Sequence, residues 1–231
     1  MKIFLAILLL SSFSITTNAS VIINATRIIY PESEKEVTVK LSNVGNSPSL
    51  VQSWIDNGNA DASPDTIDVP FIFTPPLNRI EPQKSQTLRI NYTGGALPSD
   101  KESVFWLNVL EIPQTKSDEP ENRLQMAFRS RIKFFFRPSG LVGDANKAAE
   151  SLIWNIRNNH IAVQNSSPFN VSLVSLTLEH AGKKSTIEGE MINPFSSHIF
   201  ADKSLVPSTG DNLTWEYIDD WGAVRSRTIK I

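Results

Sequence analysis

Leu124-Gln125-Met126-Ala127-Phe128-Arg129-Ser130-Arg131-Ile132-Lys133-Phe134-Phe135-Phe136-Arg137 is the longest strand-like run in the chain, and Pro138-Ser139-Gly140 closes it. Side chains alternate across a strand, so Leu124, Met126 and Phe128 share one face. Upstream, Val21 to Tyr30, Glu36 to Ser42, Leu50 to Ile55, Thr87 to Tyr92 and Val104 to Ile112 are rich in β-branched and aromatic residues. Turn formers separate them: Tyr30-Pro31, Asn43 to Pro48, Asp56 to Asp61, Thr74-Pro75-Pro76 and Thr93-Gly94-Gly95. Short strands with such punctuation predict an all-β sandwich. Downstream, Gly143 to Glu150 is a polar stretch suited to a linker, with one turn of helix expected within residues 144–152. Strand patterns resume at Leu152 to Ile156, His160 to Gln164, Asn170 to Glu179, Ser185 to Glu188, Asn212 to Ile218 and Val224 to Ile231, the spacing of a second, smaller sandwich. Lys116 to Asn122 reads as a mobile, polar loop.

The chain opens with Lys2, an apolar run from Ile3 to Leu10 and the small-residue exit Thr17-Asn18-Ala19. This pattern predicts a signal peptide over residues 1–19, leaving domains over 20–141 and 142–231. The apolar run falls short of the roughly 20 residues that span a bilayer, so export without membrane embedding is expected. The chain holds no cysteine. An exported protein without disulfides must rely on packing and hydrogen bonding alone. A formal charge of −2 argues against a nucleic-acid partner, even though Arg129, Arg131, Lys133 and Arg137 interleave with Phe134, Phe135 and Phe136.

Several separated blocks resemble one family. Thr26-Arg27-Ile28-Ile29-Tyr30, Leu50 to Asp56 and Thr74-Pro75-Pro76 with Arg79, Glu81 and Pro82 are three of them. The most specific stretch runs from Leu97 to Val109 with Glu111-Ile112-Pro113, and Leu124 to Ala127 with Arg131 to Pro138 completes the set. Leu152-x-Trp154, Asn165 to Phe169 and Tyr217 to Ala223 add weaker matches in the second half. Together they resemble the periplasmic pilus-assembly chaperones of the chaperone–usher pathway, the PapD-like family. The absence of a cysteine pair and the short last connection resemble its short-loop subfamily, which assembles rod-like adhesive pili.

The resemblance implies two immunoglobulin-like β-sandwiches with a cleft between them. It implies a non-enzymatic chaperone that binds and caps pilin subunits and delivers them to an outer-membrane usher. The last strand of the first domain would be donated to an incomplete subunit, with Leu124, Met126 and Phe128 filling its groove. Arg27 and Lys133 would grip the subunit's terminal carboxylate. Lys133 follows Phe128 by five residues, which puts the two on opposite faces unless a bulge intervenes. Glu102, Arg137 and Asp220 would form a buried ionic network fixing the angle between domains, with Asp219 as the adjacent alternative. Arg129, Arg131 and Lys133 could moderate self-association of the exposed edge by charge repulsion, and a self-capping dimer of the free protein is a further expectation.

Read without the resemblance, the 124–128 face packs into the domain's own core, and Arg27 and Lys133 are ordinary polar strand residues. A secreted two-domain adhesive or binding module that uses its loop tips is then the competing function. Catalysis has little support. His160, His180 and His198 belong to no spaced ligand motif, and no nucleophile elbow or phosphate loop occurs. No cofactor and no metal are called for.

Overall fold

A computed structural model describes residues 20–112, 126–202 and 204–231. The signal peptide expected over residues 1–19, the loop expected over 116–122 and Leu124 therefore lie outside the described residues.

The first domain comprises β1 (Val21–Ile23), β2 (Arg27–Pro31), β3 (Val37–Asn43), β4 (Ser49–Asp56), β5 (Phe71–Thr74), β6 (Leu77–Ile80), β7 (Ser85–Tyr92), β8 (Ser103–Ile112) and β9 (Phe128–Arg137). Two sheets result, in the orders β1-β3-β7-β5 and β2-β9-β8-β4-β6. The alternating residues Val39, Leu41, Leu88 and Ile90 of one sheet meet Val51, Ile55, Phe105, Leu107, Val109, Phe134 and Phe136 of the other. Tyr30 is fully buried at the centre, its hydroxyl accepting from the Tyr92 amide at 3.0 Å and lying 3.1 Å from the carbonyl oxygens of Glu34 and Lys35. A buried phenol of this kind retains its packing without leaving a polar atom unpaired.

The run Val21 to Tyr30, expected as one strand, is two. β1 pairs antiparallel with β3 in one sheet, while β2 pairs parallel with β9 in the other. The chain changes sheets at Asn24 to Thr26, and Arg27 becomes the first residue of the new strand. A second change occurs across the cis Thr74–Pro75 bond between β5 and β6. These two four-residue strands were hidden in the sequence by their flanking prolines.

A one-turn helix, α1 (Ala145–Ala148), stands at the junction, where the Asp144 carboxylate accepts from the Asn146 amide at 2.9 Å. The second domain then runs through β10 (Ile153–Arg157), β11 (His160–Asn165), β12 (Val171–His180), β13 (Lys183–Glu188), β14 (Met191–Ile192), β15 (Ser196–Phe200), β16 (Asn212–Ile218) and β17 (Val224–Lys230). Its sheets have the orders β10-β11-β15 and β13-β12-β16-β17, with β14 paired to the start of β12. Trp154, Phe200 and Trp215 fill its core, and Trp215 Nε1 donates to the Ala149 carbonyl at 3.0 Å, tying the junction helix down. The architecture is two immunoglobulin-like sandwiches, each with its own core.

Candidate functional site: the edge of β9 and the interdomain cleft

β9 pairs with β8 without a register break from Glu111↔Phe128 to Ser103↔Phe136. With no bulge, parity holds along its whole length. Phe134 and Phe136 point into the core, Ile132 packs against it, and Phe128 continues the same face. Lys133, Phe135 and Arg137 therefore lie on the opposite face, which is turned toward the second domain.

The two edges of β9 are unequal. On one side β8 pairs with residues 128–136. On the other side β2 pairs only with residues 133–137. Among the described residues, nothing is paired along the outer edge of residues 128–132. Beyond the last core contact Phe128 remains 42% exposed and Met126 58% exposed. Such an edge offers unpaired backbone groups beside exposed apolar side chains. Met126 and Phe128 are thus not absorbed into the domain's own core; Leu124 lies outside the described residues.

The parallel register sets Arg27 directly beside Lys133. Ile28 and Tyr30 are buried on the core face, so Arg27 shares the cleft face with Lys133. The second domain meets this pair with a matching pair. Arg27 Nη1 donates to the Ile218 carbonyl at 3.0 Å, and Lys133 Nζ donates to Ser172 Oγ at 3.0 Å. Ser172 and Ile218 are themselves cross-strand partners on β12 and β16. The Arg27 guanidinium lies over the Phe135 ring at 5.6 Å, and its buried Nε has no hydrogen-bond partner among the described residues.

Two cations are thus half-buried side by side. Burial, together with the neighbouring Arg27 charge, lowers the Lys133 ammonium to about 8. Burial also lowers Arg27, against the opposing pull of Asp220, Asp219 and Glu102. A site in which desolvation and like charge both disfavour the cations is one that an entering anion relieves.

Next to this pair, Arg137 joins Glu102 and Asp220. Its Nε donates to Glu102 Oε1 at 2.7 Å, and its Nη1 and Nη2 donate to the two Asp220 oxygens at 2.7 and 3.1 Å. The Glu102 side chain, 2% exposed, also accepts from the Asn170 amide at 2.8 Å. Burial works against the Arg137 charge, but Asp220 and Glu102 outweigh it and hold the guanidinium above its ordinary value. Asp219 is engaged elsewhere, accepting from the Ala223 amide at 2.8 Å and from Arg225 Nε at 3.0 Å within the second domain. The turn they form docks on the first domain: Gly222 has φ +83°, and a Cβ there would collide with the Thr26 hydroxyl.

Sequence reasoning missed the partners of this face. Arg131, expected as a repelling charge on the edge, is instead paired with the buried Asp56. Ser172 and Ile218 carried no local signal at all. Among the described residues no group of three or more His, Cys, Asp or Glu side chains converges as a metal site, and no helix is long and apolar enough to cross a membrane.

The chain matches two family models in sequence order: the pili and flagellar-assembly chaperone, PapD N-terminal domain, over residues 20–142, and the pili assembly chaperone PapD, C-terminal domain, over residues 147–229. It is 45% identical over 216 residues to the chaperone protein MrkB of Klebsiella pneumoniae, covering 91% of each chain. The solved YadV chaperone superposes with a TM-score of 0.79 at 37% identity, over 92% of this chain and 100% of that one. A Salmonella enterica structure of the SafA pilin with the SafB chaperone matches with a TM-score of 0.77 at 30% identity, over 94% of this chain and 98% of the matched chain. With its two sandwiches, its cleft and its half-open edge strand, this chain belongs to the PapD-like family of pilus-assembly chaperones, a non-enzymatic family.

Proposed function

We propose that this protein is a periplasmic chaperone that captures pilin subunits on the open half of β9, anchors their terminal carboxylate between Arg27 and Lys133, and passes them to an outer-membrane usher. The observation that carries this reading is the unequal edge of β9. A strand laid on residues 128–132 occupies the line that β2 takes up at Lys133. Running parallel to β9, it ends head-on at the start of β2, and its terminal carboxylate arrives at Arg27 and Lys133. Running antiparallel, it would begin there with an ammonium against two cations. The cleft thus selects a C-terminus and a direction, and it sets register, because a one-residue slip would turn the wrong side chains inward. A carboxylate held by two cations makes strong, charge-assisted hydrogen bonds.

The captured subunit gains main-chain pairing along the edge and apolar side chains from Phe128 and Met126, each worth roughly 1.5–3 kcal/mol when fully buried. The solved SafA–SafB complex supports a pilin as the partner class. The test is co-expression with candidate pilins in a bacterial periplasm, comparing wild type with Arg27→Ala and Lys133→Ala. Recovery of a one-to-one complex with wild type, lost in both folded variants, is the expected result. Full binding by both variants would refute the anchor.

A further inference from the structure

The open half of β9 has a sheet neighbour on one side only, yet it must lie extended before any subunit arrives. The structure holds it from behind. β4 lies two strands away, with β8 between, so the two backbones are roughly 10 Å apart. Arg131 spans that gap: its Nε and Nη2 donate to the two Asp56 oxygens at 3.0 and 2.6 Å. On the way it crosses Trp106, whose ring lies 4.5 Å from the guanidinium carbon. Asp56 is 1% exposed and is itself fixed, accepting from Asn108 Nδ2 at 2.6 Å and from the Gly58 amide at 2.7 Å. Four residues further on, in the loop that follows β4, the Ala60 carbonyl accepts from Arg129 Nη1 at 2.7 Å, and the Arg129 guanidinium lies 6.0 Å from the Trp54 ring. Both arginines belong to the open half, and both leave the strand on the face opposite Phe128.

We propose that the loop from Asp56 to Ala60 is a strap that pre-orders the open half of β9 through Arg131 and Arg129, with Asp56 as a positioning residue for subunit capture. The inference rests on the donor-edge reading above. Without the strap, residues 128–132 would have to be ordered at the moment of binding, and that conformational entropy would be subtracted from affinity. The length and planar fork of arginine suit the span, since a bidentate pair fixes direction as well as distance.

The test is amide hydrogen exchange on the free chaperone, wild type against Asp56→Asn and the milder, exposed-site variant Arg129→Ala. Asp56→Asn should raise exchange in residues 128–132 at least tenfold, about 1.4 kcal/mol of local opening, and leave residues 133–137 unchanged. Arg129→Ala should give a smaller rise confined to the same residues. Equal rises in both halves of β9, or no rise, would overturn the strap. Pilin recovery on co-expression should fall in step with the loosening. Wild-type recovery with a loosened edge would overturn the positioning role, provided Phe128→Ser abolishes recovery. If Phe128→Ser also recovers pilin normally, the donor-edge reading has failed and the positioning role falls with it, while the exchange data still decide whether the strap exists.

Discussion

Raising the pH from 7 to 9 should loosen the grip on a carboxylate while tightening the fold around it. The Lys133 ammonium, lowered to about 8 by burial and by Arg27, is mostly charged at pH 7 and mostly neutral at pH 9. Its protonated fraction falls roughly tenfold over that interval, about 1.4 kcal/mol of binding for a ligand that needs the charge. An entering carboxylate pulls the pKa back up, so binding takes up a proton above pH 8, and the loss with rising pH follows by linkage. Stability runs the other way. The unfolded chain, with an ordinary lysine, holds more protons than the folded one between about 8 and 10.5, so this group makes folding more favourable as pH rises through that window. The assay is calorimetric titration with a synthetic peptide of alternating apolar residues, once with a free carboxyl end and once amidated. Affinity for the free acid should fall about tenfold between pH 7 and 9. The amide should bind more weakly and nearly independently of pH. Lys133→Arg, charged throughout, should flatten the profile. Parallel pH profiles for acid and amide would refute the reasoning.

Three further outcomes follow from the geometry. Phe128→Ser should lower the unfolding free energy by only about 1 kcal/mol, because the side chain is already 42% exposed, yet reduce pilin recovery sharply; a loss of the roughly 3–5 kcal/mol typical of a core Phe truncation would contradict the open-edge description. Arg137→Ala should destabilise by about 3–5 kcal/mol in denaturant titration, because it strips the buried Glu102 of its cation; the double variant Glu102→Gln/Arg137→Met should recover part of that loss, and no recovery would argue against the ion pair as the cause. Gly222→Ala should force the 219–223 turn away from Thr26 and change the interdomain angle, read by small-angle scattering with each domain still folded; an unchanged profile would show that this contact does not set the angle.

What could be read from the chain was whatever depends on alternation within one strand. The opposite faces of Phe128 and Lys133 follow from period-2 spacing and the strand's end from Pro138, whereas the run expected from Leu124 becomes strand only at Phe128 among the described residues, leaving Met126 outside it. The turn of helix expected within residues 144–152 is α1, for which Asp144 supplies the cap. What escaped depends on which strand lies beside which. In Val21 to Tyr30 only Asn24-Ala25 interrupts the β-forming composition, too short a break to show by itself that the chain leaves one sheet for the other there. β15 buries only Phe200 fully, too little alternation to register as a strand. Arg131 looked like a free edge charge because Asp56 is 75 residues away in sequence, and only the β4-β8-β9 order brings them together. Ser172 and Ile218 face the cation pair because two sandwiches with separate cores meet there, and no spacing rule connects them. The resemblance to a known family named Arg27 and Lys133, but the parallel register gives the physical reason for the pair.

The same register bears on what the open edge does when no subunit is present. An exposed edge with apolar neighbours attracts any available strand, including a second copy of itself. Two copies related by a twofold axis perpendicular to the sheet would pair residues 128–132 antiparallel. That arrangement satisfies backbone groups and buries Phe128, but it brings no carboxylate to Arg27 and Lys133. In the proposed capture, a subunit strand in the parallel direction would do both. Self-capping, where it occurs, is therefore the weaker of two uses of one edge, lacking the charged contact that the cleft supplies. Sedimentation of the free chaperone should show a monomer–dimer balance that pilin shifts to a one-to-one complex. Lys133→Ala should leave the self-pairing intact while losing the pilin, and a variant that lost both together would show that the two occupants share the anchor as well as the edge.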